Sequence, residues 1–302
     1  MLFRSPYRTL FPPFLLSIGR NDPADIIHTT PDYAFFHARK NIPLVITFHN
    51  YVLDRFMWRY SHFLQNIHYR TDLKLFTNLS IRKANAITAV SHYTARLIKE
   101  EIPSLNFNIK VIHNGIDHTL FVPQSKIFRQ TKSINVLFSG NLTTRKGAQD
   151  LSAIADRLEK NITIQYTAGL QSSGKRIEHP ALHCLNSVAF DKMPSVYHNA
   201  DILLFPTVRE GFGLAAAEAM ACGLPVVATN CSSLPELIDE GKGGFLCPLG
   251  NVDVFADKIN LLASDSRLRS EMGAYNRAKI EKYFTLDRMI GEYKTLFEEI
   301  LS

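Results

Sequence analysis

The sequence predicts an α/β protein made of two doubly wound, Rossmann-type parallel sheets. Three observations carry this. Short β-branched apolar runs alternate with Gly/Asn/Pro turns and helical patterns along most of the chain, which is the rhythm of βαβ units. The runs fall into two consecutive sets, separated by a polar stretch near 121–131. The 302 residues, 46% hydrophobic and 21% charged, suffice for about two domains.

The first set of expected strands covers 25–28, 44–48, 86–90 and 110–112, each dominated by Ile, Val, Thr or Phe. The second covers 135–138, 162–166, 201–205 and 225–228. Helices are expected between them at 91–101, 147–158, 193–199 and 213–222, where apolar residues recur at helical spacing. Val122-Pro123-Gln124-Ser125 closes the first pattern, so the domain seam is placed between 125 and 126. In such sheets ligands bind at the carboxyl ends of the strands.

Several classes are excluded. No stretch approaches the ~20 apolar residues of a transmembrane helix. The apolar segment 11–18 is short and contains Pro12-Pro13, so no secretory signal is expected. Cys184, Cys222, Cys231 and Cys247 have no paired C-x-x-C spacing, which points to reduced thiols in a cytoplasmic protein. Residues 1–125 carry 14 Lys and Arg against 8 Asp and Glu, whereas 126–302 carry 20 against 20, so the net charge of +6 lies entirely in the first part. That asymmetry points to an anionic partner such as a phosphorylated lipid or membrane surface, or to an ordinary solvated basic face. Nucleic acid is not expected, because no recognition motif accompanies the cations.

Two constellations carry chemistry. After the strand ending at Phe138, Gly140 offers a turn, Arg145 and Lys146 offer adjacent cations, and a helix is expected to follow Gly147. Backbone N–H groups, a helix dipole and fixed charge would there favour one anion, a pyrophosphate. A plain βα turn with solvated cations is the alternative. Further on, Glu210-Gly211-Phe212-Gly213-Leu214 runs into the small-residue helix that contains Glu218. The two glycines allow close backbone approach to a ligand. Glu218, among alanines and Met220, requires hydroxyl or cationic partners, whether as a ligand-binding group or in a structural ion pair.

Residues 135–248 resemble the donor half of a GT-B glycosyltransferase, in particular the large retaining family numbered four. The likeness rests on Gly-x-Leu-x-x-x-Lys-Gly at 140–147, Asn199 to Thr207, Glu210-Gly-Phe-Gly-Leu, and Glu218-Ala-Met-Ala-Cys-Gly-Leu-Pro-Val-Val. Pro235-Glu236 and Gly243-Gly244-Phe245-Leu246 complete it. Ala89-Val90-Ser91 and Val111 to Asp117 resemble that family's acceptor-side strand and domain-closing segment. The resemblance implies a GT-B-like pair of domains facing across a cleft, 1–125 on the acceptor side and 126–285 on the donor side, with 286–302 packing back on the first.

It also implies roles. Lys146, with Arg145 beside it and Gly140 and Asn141 in the turn, would bind the donor diphosphate, and Glu218 would hold the ribose hydroxyls. Glu210 would sit by the transferred sugar, with Gly211, Phe212, Gly213 and Leu214 against sugar and phosphate, and the base would stack near Val188. His49 matches a histidine placed near the reacting carbon; outside the resemblance, a satisfied histidine in a βα turn is the alternative. Glu210, His49 and Lys146 are then the catalytic candidates. The co-substrate is a nucleoside-diphosphate sugar, with no metal or other cofactor expected.

Two departures matter. Many family members carry Arg where Asn141 stands. The first half, 117 residues to Asp117, is also short for a Rossmann-type domain, and no glycine-rich loop precedes Asp25. A truncated first domain is therefore expected, with 1–20 covering an exposed sheet edge or meeting a membrane. The segment 51–70, with Val52, Phe56, Tyr60, Phe63, Leu64 and Ile67 at helical spacing and Arg55, Arg59 and Arg70 beside them, suggests a basic amphipathic helix. It would serve a membrane surface or lipid acceptor, or face a core with a wet basic side. The combined expectation is sugar transfer with retention to a lipid-linked or saccharide acceptor in envelope polysaccharide or lipopolysaccharide assembly. The enzyme would be cytoplasmic, at the inner face of the membrane. A weakly active or inactive nucleotide-sugar-binding partner subunit is the alternative.

Overall fold

The computed structural model describes residues 23–103, 108–124, 133–169 and 176–302. The segment 1–20 and the part of the expected seam from 125 to 131 lie outside them. Of the described residues, 23–113 with 290–302 form one compact unit and 114–289 a second.

The first unit holds a four-stranded parallel sheet of β1 (Ile27–Thr29), β2 (Leu44–Phe48), β3 (Ala86–Ala89) and β4 (Ile109–Val111), in that order. Its helices are α1 (Ala34–His37), α2 (Phe63–His68), α3 (Lys74–Lys83) and α4 (His92–Glu101). Ser91 caps α4 by accepting the Thr94 N–H at 3.1 Å. Strand alternation separates two faces. Leu44, Ile46, Phe48, Ile87 and Ala89 pack with Ile81 and Ile98 into the core. Thr47 and Thr88 point the other way and share a hydrogen bond of 2.6 Å. Thr47 also bonds His28 Nε2 at 2.7 Å and the Tyr293 hydroxyl at 3.1 Å, while His28 stacks on Tyr293 and Phe297. Among the described residues, the C-terminal segment thus meets the second face of this sheet at Thr47 and His28.

The second unit holds a six-stranded parallel sheet in the order β10-β9-β8-β5-β6-β7. These strands are β5 (Ile134–Phe138), β6 (Ile162–Tyr166), β7 (Leu182–Cys184), β8 (Ile202–Phe205), β9 (Val226–Thr229) and β10 (Gly244–Cys247). The helices are α5 (Leu151–Ala155), α6 (Met193–His198), α7 (Leu214–Ala221), α8 (Leu234–Leu237), α9 (Val252–Ser264) and α10 (Ser266–Tyr283), while α11 (Leu286–Leu301) starts in this unit and belongs from Ile290 onward to the first. Counted from β5, the chain steps outward to β6 and β7, then returns to place β8 on the other side of β5. That reversal is a topological switch point, where the loops leaving β5 and β8 diverge and open a crevice.

Several bounds differ from the sequence expectation. The division falls at 113/114 rather than 125/126, because 114–121 is tied into the second unit. Ile116 N–H bonds Phe284 O at 2.8 Å, and Phe121 stacks edge-on against Tyr197. The expected helix 147–158 is reduced to α5, preceded by 3-10 turns at Thr144–Lys146 and Ala148–Asp150. Gly147 is left-handed at φ +77, and a Cβ there would meet Pro206 O at 2.1 Å, so Gly147 itself lies outside any helix and only glycine fits there. The expected helix across 51–70 is likewise broken. A 3-10 turn at Met57–Tyr60 and extended backbone at Ser61 and His62 precede α2, and a π-turn at Tyr69–Leu73 joins α2 to α3. β7 and β10 were not anticipated.

Helix α10 clamps α7 and β9 from behind. Asn276, fully buried, donates through Nδ2 to Leu224 O at 2.7 Å and Gly243 O at 2.6 Å. Asn276→Ala should lower the stability of the second unit by about 1–3 kcal/mol. Urea unfolding followed by circular dichroism measures it, and an unchanged midpoint would remove the clamp from the account.

Candidate functional site

Five loops reach the carboxyl edge of the second sheet, following β5, β6, β7, β8 and β9, and hydrogen bonds between them build one surface. Gly140 N–H donates to Thr167 Oγ1 at 2.9 Å, joining the first loop to the second. Ala168 N–H donates to Asn186 O at 2.9 Å, which brings the loop carrying Val188 alongside. Asn141 lies so close to Gly169 that a Cβ on that glycine would sit 1.9 Å from Asn141 Oδ1. The residue standing in for the family's Arg is therefore packed on neighbouring backbone.

Across the switch point, the loop after β5 meets the loop after β8. Arg145 O accepts the Val208 N–H at 3.0 Å and lies 3.0 Å from Thr207 Oγ1. Lys146 Nζ bonds Glu210 Oε1 at 2.5 Å, and Thr207 Oγ1 donates to the same carboxylate oxygen at 2.8 Å. The Lys146 ammonium also lies 5.4 Å from the centre of the Phe205 ring. Glu210 is fixed from behind. Its N–H donates to Ser232 Oγ at 2.9 Å and its carbonyl accepts from Ser233 Oγ at 3.1 Å. The structure thus brings Lys146 and Glu210 together, although they are far apart in sequence.

The start of α7 completes this edge. Gly213 caps it at φ +101, a left-handed conformation that favours glycine. The helix dipole expected directly after Lys146 is absent there, because α5 is short and set back behind two 3-10 turns; α7 is the longer helix that begins at this edge. Phe212 is buried, stacked edge-on against Phe284, so only its backbone is available for the expected role, whereas Leu214 is exposed. One turn into α7, Glu218 Oε2 accepts the Tyr197 hydroxyl at 2.8 Å. Burial pushes the Glu218 carboxyl above its ordinary value of 4.5, and the Tyr197 bond works against that rise. Burial and the adjacent carboxylate push Tyr197 well above 10, so its hydroxyl stays a donor.

Cys231 donates to Thr207 O at 3.4 Å. Burial raises its thiol to about 11, which marks it as a structural group and not a nucleophile. Among the described residues, neither the Lys146–Glu210 pair nor Glu218 stands with enough His, Cys, Asp or Glu side chains to share a metal ion. His49 belongs to the first unit, directly after β2. Desolvation lowers its pKa below 6.5, so the imidazole is neutral at pH 7.

The sequence reading missed Tyr197, Thr207, Ser232 and Ser233, all of which hold a carboxylate or its backbone. Tyr197, Ser232 and Ser233 reach partners on other elements, of which the local pattern carries no trace, whereas Thr207 meets Glu210 three residues on along the same loop.

Residues 124–279 match the family model described as glycosyl transferases group 1, and residues 1–120 match glycosyltransferase family 4. Among curated proteins the chain is similar to N-acetyl-alpha-D-glucosaminyl L-malate synthase of Bacillus anthracis, 28% identical over 240 residues. That match covers 73% of this chain and 61% of the relative, so the chain spans about three fifths of the relative's length. Among solved structures, sucrose-phosphate synthase of Thermosynechococcus elongatus superposes with a TM-score of 0.85 at 18% identity, over 98% of this chain and 79% of that one. Anabaena HepE, in complex with UDP and glucose, gives 0.77 at 21% identity, over 97% and 83%. At these identities the likeness is one of fold, which is of the GT-B type.

The raised pKa of Glu218 means that its ionised form costs stability at high pH, a cost relieved as pH falls through the folded value toward 4.5. Tyr197→Phe should move the carboxyl titration of Glu218 upward and cost about 1–3 kcal/mol of stability. Carbon-detected NMR of the labelled carboxyl reads the shift; a titration unchanged in the variant would show that the bond does not tune this group.

Proposed function

The chain belongs to the glycosyl transferases group 1 family, and we propose that it moves a sugar from a nucleoside-diphosphate sugar to a lipid-linked or saccharide acceptor. The observation that carries this reading is the Lys146–Glu210 pair at the switch point of the second sheet, with Glu218 further along the helix that starts there. A cation on a loop at a strand's carboxyl end suits a diphosphate. A half-buried carboxylate one turn into α7 suits ribose hydroxyls, since it accepts without donating. The loop carrying Val188 suits a base.

In this reading the bond between the anomeric carbon and the diphosphate oxygen breaks as the acceptor hydroxyl attacks the same face, giving retention. The acceptor proton passes to the departing phosphate oxygen, so charge and atoms balance without an enzymic nucleophile. Negative charge grows on the leaving group, and Lys146, with Arg145 beside it, meets that charge. Fixed cations of this kind supply a large catalytic term. They serve in place of a metal cofactor. Glu210 exchanges its contact with Lys146 for the hydroxyls of the transferred sugar, while Thr207, Ser232 and Ser233 keep its loop in place. The neutral imidazole of His49 is the first unit's candidate for a sugar or acceptor hydroxyl. A phosphorylated lipid acceptor fits the +6 charge confined to residues 1–125, and envelope polysaccharide assembly is the setting that joins such an acceptor to a nucleotide sugar.

Lys146→Ala and Glu210→Ala should each lower turnover by about two or more orders of magnitude, a few kcal/mol of transition-state stabilisation. Nucleoside diphosphate release from a panel of nucleotide sugars, with and without membrane extract as acceptor, measures this. Near-normal release in both variants would overturn the reading.

A further inference from the structure

Helices α2 and α3, joined by the π-turn, form one continuous rod with apolar residues on two sides. On the inner side Leu73 packs with Tyr33 and Phe36, with Tyr69 and Phe76 against them. The outer side is apolar as well: Phe63 is 77% exposed, Leu64 78%, Ile67 45% and Leu75 55%. Single exposed apolar residues are ordinary, but Phe63 and Leu64 with Ile67 one turn on, and Leu75 further along the same rod, form a patch.

The patch has a charged frame of one sign. Between 55 and 83 the chain carries Arg55, Arg59, Arg70, Lys74, Arg82 and Lys83, against the single carboxylate Asp72. All six cations are exposed, whereas Asp72 is half-buried and paired with His68 at 2.8 Å. Arg70 lies across the Trp58 ring at 4.7 Å, which sets a guanidinium and an amphipathic ring beside the patch. Val52, Phe56 and Tyr60, expected on the same stripe, are instead half-buried, so the exposed face begins at Phe63.

We propose that this face docks on an anionic lipid bilayer, with Phe63, Leu64, Ile67 and Leu75 entering the headgroup boundary and the surrounding cations meeting lipid phosphates. Charge decides between occupants. A second copy of the chain, brought up by two-fold symmetry, would set the cationic frame against itself. An anionic bilayer neutralises that frame and also covers the apolar stripe. The proposal deepens the reading of a lipid-linked acceptor and rests on it for the purpose of the contact, though the contact itself can be measured without any sugar transfer.

The test is sedimentation of the full chain with vesicles of phosphatidylcholine alone or with about one third phosphatidylglycerol. The chain should sediment with the anionic vesicles at low salt, not with the neutral ones, and binding should fall in 0.5 M salt (about 500 mM, where screening is strong). Phe63→Ser combined with Leu64→Ser, and separately Arg59→Gln combined with Lys74→Gln, should each weaken binding about 10-fold or more. Both side-chain pairs are exposed, so an unchanged melting temperature would show that the fold is intact. Absence of anionic vesicle binding by the wild-type chain, or equal binding by both double variants, would overturn the proposal. So would a dimer in sedimentation velocity that Phe63→Ser/Leu64→Ser abolishes. Nucleoside diphosphate release is followed in parallel: vesicle binding without any release would retire the sugar-transfer reading and leave the docking face standing.

Discussion

The second unit is organised by the contact between the Lys146 ammonium and the Glu210 carboxylate. The two groups are largely sheltered, so removal of either would leave a charge with little water around it. Thr207 adds a second partner on the same carboxylate oxygen, and its hydroxyl oxygen also lies 3.0 Å from Arg145 O, so one side chain touches both loops. Gly147 is left-handed at φ +77 and Pro206 O occupies the place a Cβ would take, so only glycine fits at this bend, one residue after Lys146. The cation is therefore held at the loop's end by backbone geometry before any ligand arrives. A diphosphate would compete with Glu210 for the ammonium, which makes the pair a natural point of exchange between an empty and a filled site.

The strand order explains why these loops meet. With β8 returning to the far side of β5, the connections from neighbouring strands run to opposite faces and leave the crevice that their loops line. Helix α7 then carries the half-buried Glu218, whose carboxylate accepts the hydroxyl of the fully buried Tyr197 from α6. Behind α7, α10 approaches closely enough that a Cβ on Gly273 would lie 2.1 Å from Gly223 O, and Asn276 ties down the backbone at Leu224 and Gly243. The site's rigidity thus comes from elements that touch no expected ligand.

Much of this was legible in the sequence, and the rest was not, for physical reasons. The runs 44–48 and 162–166 are uninterrupted, rich in β-branched residues, and became strands with those bounds. Gly244–Cys247 has no β-branched residue and owes its place to Val226, so local propensity could not reveal it. The helix expected over 147–158 is reduced to Leu151–Ala155, and the neighbour that requires glycine at 147, Pro206, is remote in sequence. Lys146, Glu210 and Glu218 stood out as a motif, yet Tyr197, which tunes Glu218, is only an aromatic residue on a short helix until the fold pairs them. In the first unit, the broken rod from 57 to 83 shows the limit of helical spacing as a guide. The periodicity was real from Phe63 onward, but extended backbone at Ser61 and His62 separates Val52, Phe56 and Tyr60 from it.

The central claim is that Lys146 holds the diphosphate of a nucleotide. Calorimetric titration of nucleoside diphosphates and the matching nucleosides into the full chain and its Lys146→Met variant tests it most directly. The account predicts that at least one nucleoside diphosphate binds the wild-type chain and that the variant weakens it about tenfold or more, a loss of at least about 1.4 kcal/mol, while the weak affinity for the nucleoside is unchanged. Equal affinity of both chains for that diphosphate would contradict it.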